Sequence, residues 1–599
     1  MPLQAITGFC AGSYNSRARG VSACRTVNMR VELNEDANAK SPATMFPVPG
    51  KELFTPLGGT GTVGSWANRF RTFWVIANGD GTGNVYEVFE DGTSKLYGQV
   101  AVGGNPATMR ANGSQLLICS AGKVYIATGT AIYQPIVNYT SGTANVNGHT
   151  VTWVAGTLGD SSMFSQVKPG DLVLLPPSGT IPTSAAPYLY TVASVAADGM
   201  SLELLEDAGI LNNYAYQIGA GPTSLLAGAM VEYIDGYFIV NVPNTTTFRI
   251  SHLFDGSIWD ALDFQSKSGS VDDIAAILSF SGYLALIGDT NSIEIWGDSG
   301  NAQFPFARVS GQSLNVGTEA AWSVQKLTTG AVIWLMNSSN GGRQIVQSSG
   351  GAPQRISNHA MEYAMKGYAV ADDAISSTYV EDGQEYYRID FPTANRSWEW
   401  NSSSGTWVEL GVETAEDEVY GCDSGRYRVH VTWPSGRAMD LVGDFQSGNI
   451  LQVDAAFLDD NGTDIPTMRI APHVNSNLAR MTMAAFALDC ELGTIDPSLL
   501  GEDGKPLIPL VSLFYSDDGA RTWSNAGAAS LGRVGEYQGT YLTEAEMFDV
   551  APSSQTNPQV FNPVPLWNAL GSSWVSKTLK IKSTAKMLRA VYNGLAEAA

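Results

Sequence analysis

Five histidines, His149, His252, His359, His430 and His473, are the first residues to weigh for chemistry, and they stand isolated in sequence. None has the spacing of a metal-ligand pair, so ordinary polar or packed roles are expected and no metal site is assigned. Asn78-Gly79-Asp80-Gly81-Thr82-Gly83 opens like a calcium loop, but its twelfth position is Phe89, where a bidentate Glu is required. A hairpin turn is the better reading, and Asp459-Asp460-Asn461-Gly462 reads the same way. Ser516-Asp517-Asp518-Gly519-Ala520-Arg521-Thr522-Trp523 is the sharpest local motif. No Gly-x-Ser-x-Gly elbow, phosphate loop or His-Glu-x-x-His occurs. Arg17, Arg19, Arg25 and Arg30 all precede the first acid, Glu32. In an acidic chain such a cluster suits a neighbouring subunit. Intrachain salt bridges fit equally well, and DNA-phosphate contact is a weaker third reading.

The elements that would position these residues recur. Seven times an apolar strand is followed by a Gly/Asn/Asp turn and further strands, with first strands near Thr72, Leu116, Tyr237, Tyr283, Val332, Tyr386 and Asp440. The clearest copy is Phe73-Trp74-Val75-Ile76, the turn at Asn78-Gly79, then Asn84-Val85-Tyr86-Glu87-Val88. Most spacings fall at 44 to 54 residues, room for three or four strands. One such sheet cannot bury both faces alone, so the units must stack, and radial stacking gives a β-propeller. Stacked sandwich domains need about 100 residues each and fit less well. One gap of 121 residues implies an insertion at 137–219. Its strand-like runs, with Asp198-Gly199 as a hairpin turn, read as a small barrel-like β domain. An inserted module of this kind reaches outward and serves an interaction.

The fold class is therefore all-β: a propeller core of six to seven blades, the inserted domain, and β-rich terminal segments. The expected division is an extended segment at 1–60, first blades at 61–136, the insertion at 137–219, remaining blades at 220–469, and a β-rich segment at 470–599 ending in a short helix near Ala585 to Ala599. The 599 residues, with 63 Gly, 14 Trp and 24 Tyr, suit a multi-domain chain of half-buried strands and many turns. The net charge of −23 repels phosphate and argues against tight nucleic-acid binding by the whole surface. A channel through which DNA slides is a different case, because acidic walls prevent sticking. Five scattered cysteines without a CxxC pair suggest reduced thiols made in a cytoplasm. No signal peptide or spanning helix is expected.

The Ser516–Trp523 segment nearly matches the Asp-box of sialidase propellers, with Ala520 where Gly is usual, and Phe248-Arg249-Ile250-Ser251 is similar to their arginine motif without its Pro. The Asp-box is a folding device. Sialic-acid hydrolysis would further need an Arg cluster and a Tyr/Glu nucleophile pair, which the sequence does not assemble.

A broader resemblance runs from residue 13 to about 540, outside the insertion. It begins with Ser13-Tyr14-Asn15-Ser16-Arg17, Arg25-Thr26-Val27-Asn28-Met29 and Pro47-Val48-Pro49-Gly50. It continues through Asp235-Gly236-Tyr237-Phe238, Trp259-Asp260-Ala261-Leu262-Asp263-Phe264, Glu294-Ile295-Trp296 and Phe304-Pro305-Phe306-Ala307-Arg308. Pro353-Gln354-Arg355-Ile356-Ser357-Asn358-His359-Ala360 and Phe391-Pro392-Thr393-Ala394-Asn395 follow. In this order the segments resemble the packaged-DNA stabilisation proteins of short-tailed bacteriophages, which are tail accessory factors also called tail nozzle or tail-tube proteins.

The resemblance implies a structural virion protein, not an enzyme, that needs no cofactor. It implies self-association into a ring, read as a hexamer, below the portal-adaptor (head-to-tail connector) protein. The ring would retain packaged double-stranded DNA, conduct it through its lumen without sequence-specific binding, and offer sites for a tail fibre or tailspike. Location in the phage tail, assembly in the host cytoplasm and contact with the host surface follow from the same likeness. Arg17, Arg19 and Arg25 are the candidate subunit-interface residues. The competing readings are a receptor- or glycan-binding tail protein, with Trp153, Tyr188 and Tyr190 as an aromatic platform, and a sialidase-like glycosidase.

Overall fold

Each of the seven apolar runs forms the second strand of its sheet, not the first. An additional strand precedes it; blades 1 to 4 are four-stranded antiparallel sheets, blade 5 has five strands, and the strands of blades 6 and 7 belong to larger sheets. The second strands are sandwiched between neighbouring blades. Thr72–Ala77, for example, is buried along nearly its whole length, which is why its sequence reads as a continuous apolar run. The computed structural model describes residues 3–129, 131–154, 164–176, 188–301, 303–337, 342–414, 419–476, 479–492, 509–531, 564–571, 575–586 and 590–598.

Blade 1 comprises Gly61–Ala67, Thr72–Ala77, Thr82–Val88 and Ser94–Ala101. Blade 2 runs from Thr108–Ala111 to Ala131–Tyr133, blade 3 from Val231–Ile234 to Phe264–Ser266, and blade 4 from Ile274–Phe280 to Phe306–Leu314. In blade 5 two short pieces, Gly317–Thr318 and Gln325–Lys326, share the innermost position, and Gln354–Arg355 is outermost. Blade 6 runs from Ile375–Glu381 to Trp407–Leu410. Blade 7 has three strands of its own, Gly425–Thr432, Ala438–Asp444 and Asn449–Asp454. Its fourth is Gly50–Pro56, antiparallel to Asn449–Asp454. The early strand thus closes the ring, and segment 1–60, expected as an extended piece before the propeller, is in part propeller.

Two-residue turns set the register of several hairpins. Asp235-Gly236, Ser281-Gly282 and Asp382-Gly383 join the first two strands of blades 3, 4 and 6, and both residues of each have positive φ. This is the type I′ geometry that matches strand twist. Blades also bond to one another along their innermost strands. Ala107 N donates to Val63 O at 2.8 Å, and Val231 N to Thr108 Oγ1 at 3.2 Å. Ser279 Oγ donates to Glu232 at 2.9 Å, Lys326 Nζ to Ser279 O at 3.5 Å, and Thr378 Oγ1 to Lys326 O at 3.1 Å. Arg428 donates to Glu381 at 2.8 Å and Ser65 Oγ to Tyr427 O at 2.7 Å, completing the circuit of seven blades.

The insertion is a closed barrel of six strands: Thr140–Asn147, Thr150–Trp153, Ser201–Leu204, Leu189–Val195, Leu172–Leu174 and Ile210–Gly219, in spatial order. Val146, Val151, Phe164, Tyr190, Val192, Leu202 and Tyr216 fill it. Its root, Val137–Asn138, pairs in parallel with Trp259–Asp260 of blade 3.

Beyond blade 7, two sheets pack face to face. One joins Met29–Leu33, Ala43–Pro47, Val591–Ala598, Met483–Cys490 and Leu566–Asn568. The other extends blade 6 outward from Trp407–Leu410 through Ala23–Val27, Thr467–Ile470, Ser576–Ser583, Leu510–Ser516 and Ser524–Ser530. Phe9, Met45, Phe486, Leu488, Leu513, Trp567 and Ile581 fill the space between them. Thr467–Ile470 therefore belongs to this sandwich and not to the last blade, which moves the boundary expected at 469.

The expected terminal helix is instead a strand. Val591–Ala598 pairs antiparallel with Met483–Cys490. The Ala-rich ending has helical propensity, but pairing and packing override it. At Gly594 an added Cβ would stand 2.5 Å from Phe9 Cδ2, so only glycine lets the strand lie against the sandwich core.

At Gly50, the first residue of the closing strand, a Cβ would meet Asp459 O at 2.3 Å and Phe457 O at 2.6 Å, both backbone atoms. Gly50→Ala is therefore expected to destabilise by about 1–3 kcal/mol through overpacking. Gly104→Ala, with open space around its Cβ, should stay within about 0.5 kcal/mol of the parent. Thermal melts of the two variants check this; equal midpoints would contradict a tight closure at Gly50.

Candidate assembly surfaces and the buried charge junction

The N-terminal basic cluster divides into an inner and an outer part. Arg30 lies on Met29–Leu33 and is buried. Its Nε donates to Glu399 Oε1 at 2.7 Å and its NH1 to Glu381 Oε1 at 2.6 Å. Its guanidinium stacks over the Tyr386 ring at 4.2 Å, and Tyr379 OH also donates to Glu399. Burial pushes the Glu399 carboxyl up, but the Arg30 charge and hydrogen bond outweigh it and hold the group below the usual carboxylate range. Arg428 joins the same junction through Glu381 and Asp440.

Lys51, on the closing strand, is the second inner cation. Its Nζ donates to Asp423 at 2.6 Å and Asp460 at 2.8 Å. Asp423 also faces Arg388 at 3.4 Å. Burial raises Asp423, yet Lys51 and Arg388 together hold it far below the ordinary value. Asp460 shares Lys51 but is net raised, first by burial and then by the neighbouring Asp423 charge. Arg30, Arg428, Lys51 and Arg388 each have a carboxylate partner, as buried charges require.

Arg25 is committed within the chain. It forks onto Glu409, Nε to Oε1 at 3.0 Å and NH2 to Oε2 at 2.7 Å. Of the three arginines expected at an interface, Arg17 and Arg19 are the exposed ones. Arg19 NH1 donates to Ala520 O at 3.4 Å. Arg17 lines an open cleft with Tyr14, His359, Tyr363 and Lys366. The cleft lies between the strand Tyr14–Asn15 and the helix His359–Lys366, capped by Asn358 Oδ1 accepting from Met361 N at 2.9 Å. Among the described residues neither Arg17 nor Lys366 has a charged partner.

The Asp-box-like segment is a hairpin brace in the sandwich, outside the propeller. Asp518 accepts from Arg521 N at 2.9 Å, Thr522 N at 3.0 Å and Thr522 Oγ1 at 2.6 Å, and these bonds hold its carboxyl below the usual range. Ala520 takes positive φ where the motif usually has Gly. In the calcium-loop-like segment Asp80 accepts from Thr82 N and Oγ1, an ordinary capped turn. Tyr190 is buried in the barrel core, Trp153 packs against that core, and Tyr188 meets Tyr133 of blade 2 at 5.8 Å. The three do not make an exposed platform. All five cysteines are free thiols, and no helix among the described residues is long and apolar enough to cross a membrane.

Sequence reasoning missed the destinations of Arg25 and Arg30, because their acids lie hundreds of residues away. It also set His252 aside, although the fold brings it beside Asp260 and Asp263. The signal was the short span from His252 to the Trp259–Phe264 motif.

Comparison with known proteins yields one family. The model described as Bacteriophage P22 Gp10, beta-propeller, of the phage stabilisation family, matches residues 222–457, which span blades 3 to 7. No curated protein matches. Among solved structures, the WD40 domain of Toxoplasma gondii coronin is 11% identical, covers 71% of this chain and 85% of its own, and has a TM-score of 0.31. Saccharomyces cerevisiae Sqt1 is 10% identical over 67% of this chain and 98% of its own, at 0.31. The Cps50 (Swd1) beta-propeller domain of Myceliophteria thermophila is 8% identical over 67% and 99%, also at 0.31. These low scores carry no weight; the all-β propeller stands on the sheet topology and the family match.

Glu399→Gln removes the charge that balances Arg30. It is expected to cost about 3–5 kcal/mol, because a buried guanidinium is left undercompensated. Since Glu399 is held low in the folded state, its stabilisation is present above its unfolded value of about 4.3 and is lost as pH falls through the folded value. Melts from pH 7 to pH 3 should therefore show the parent losing stability below about pH 4 and Glu399→Gln losing less of it. Parallel profiles for the two proteins would count against this assignment.

Proposed function

We propose that this chain, whose residues 222–457 match the phage stabilisation family model, is a structural virion protein that stabilises packaged DNA, and within that class a tail nozzle or tube subunit of a short-tailed phage. In this reading copies of the chain form a ring, sixfold, below the portal-adaptor protein. The ring retains the packaged genome, conducts double-stranded DNA at ejection, and carries a tail fibre or tailspike at its periphery. Subunits assemble in the host cytoplasm, and the outer face of the tail meets the host surface. The work is mechanical and no residue is assigned to catalysis.

The family match to five of the seven blades is the observation that carries this reading. The charge of −23 supports it, since acidic walls repel DNA and let it slide. The cleft with Arg17 and Lys366 supports it as well, because two outward cations on an acidic molecule complement the surface of a second copy. Glycan recognition by the barrel is disfavoured by its packed aromatics.

Negative-stain microscopy of the purified protein, alone and with portal-adaptor complex, is the direct test. Rings with a channel wide enough for duplex DNA, seated at the far end of the adaptor, are expected; monomers that ignore the adaptor would sink the reading. The double variant Arg17→Glu, Lys366→Glu should lower ring yield at least tenfold at an unchanged melting midpoint. Full ring assembly by this variant would remove the cleft from the interface while leaving the nozzle reading intact.

A further inference from the structure

At one point of the barrel's attachment several polar groups converge. His252 follows the third strand of blade 3, Thr247–Ile250. Asp260 lies on Trp259–Asp260, which pairs in parallel with the barrel root Val137–Asn138. Asp263 immediately precedes the fourth strand of the blade, Phe264–Ser266. One ligand atom from each of His252, Asp260 and Asp263 lies within 4.8 Å of the others.

Backbone bonds fix all three. His252 N donates to Ile258 O at 3.0 Å, Asp263 N to Asp260 O at 3.1 Å, and Ile250 N to Asp263 O at 3.2 Å. His252 Nε2 is 2.7 Å from Asp260 Oδ2, and Asn138 Nδ2 donates to Asp260 Oδ1 at 2.8 Å.

Two features of this group are left unexplained by an ordinary His–Asp pair. The Asp263 carboxylate sits half-buried beside Asp260 with no hydrogen bond or ion pair among the described residues. Asn138 is 2% exposed, and the Oδ1 of the same amide that binds Asp260 has no hydrogen-bond partner among the described residues. Crowded carboxylates and an orphaned amide oxygen are both relieved by a cation. Arg249, on the neighbouring strand, donates to Ala261 O at 3.3 Å and lies over the Phe264 ring, and it makes no ion pair with Asp263. Asp255 is occupied with Gln115 and Ser257.

We propose that His252, Asp260 and Asp263 bind a divalent zinc-class cation that staples the root of the inserted barrel to blade 3. One imidazole nitrogen and two carboxylate oxygens make a three-ligand set, with a fourth position for water or the Asn138 amide oxygen. With metal–ligand bonds of about 2.0–2.2 Å, ligand atoms must come to roughly 3.3 Å apart. Binding would part His252 Nε2 and Asp260 Oδ2, now 2.7 Å apart, slightly and draw in Asp263, whose carboxylate lies within 4.8 Å of both. Asp260 bears the consequence, because it holds the metal on one oxygen and the barrel root, through Asn138, on the other.

The test uses the full chain, stripped with EDTA and titrated with Zn2+ by calorimetry, with Mn2+ as a second probe. One equivalent per chain, at micromolar affinity or tighter, and slower hydrogen exchange at residues 136–139 and 258–263 are expected. Asp263→Asn and His252→Ala should each weaken Zn2+ at least tenfold. Melts in EDTA establish that both variants fold like the parent. Absence of Zn2+ and Mn2+ binding by the parent overturns the proposal and leaves an ion pair only; undiminished binding by both folded variants overturns it by placing the metal elsewhere.

Discussion

A propeller is a sheet-built ring, and a ring is only as good as its last joint. Here that joint is the pairing of Gly50–Pro56 with Asn449–Asp454, which completes blade 7 with a strand from the opposite end of the propeller sequence. The remaining architecture follows from it. Lys51 on that strand is neutralised by Asp423 and Asp460, and Arg30, a short way upstream, by Glu399 and Glu381. The residues before the joint then have nowhere to go but across blade 6, where Ala23–Val27 and Met29–Leu33 enter the two sheets of the sandwich. Closure, buried charge and sandwich form one mechanical unit.

The charges of this junction cost desolvation and return specificity. A hydrophobic joint would tolerate slippage of one strand along another, whereas Arg30 and Lys51 each find their acids in a single register. Hydrogen bonds between innermost strands do the same around the rest of the ring. The outer surface follows a different logic, with excess acid and cations that make no ion pair among the described residues, of which Arg17 and Lys366 share one cleft.

The parts legible in sequence were those whose physics is local. Seven second strands showed themselves because burial on both faces makes them continuous apolar runs, as in Leu116-Leu117-Ile118-Cys119. The insertion showed itself as an interruption of the spacing. Outer strands were quieter: Ser94–Ala101 and Phe306–Leu314 are half-exposed edges with mixed composition. What could not be read was whatever depends on distant partners. Val591–Ala598 resembles a helix until Met483–Cys490 is beside it, and Arg25 resembles an interface residue until Glu409 is beside it. The His252 group was hidden for the same reason on a smaller scale: the loop that joins its members has no metal-site spacing, and the barrel root that completes it comes from over a hundred residues upstream.

The closing strand also carries a schedule. Pro56 and Asn449 are paired neighbours in the finished ring, yet nearly four hundred residues separate them along the chain. At about 5–20 residues per second, a ribosome takes roughly 20–80 seconds to travel from one to the other. Throughout that interval Gly50–Pro56 is an unpaired strand, the kind of edge on which chains mispair and aggregate. Blade 1 can form in the first moments after its residues emerge, but the ring cannot, and Arg30 and Lys51 wait for acids that have not yet been made. The chain therefore spends most of its synthesis with an open end, and the last blade acts as the clasp that ends this exposure.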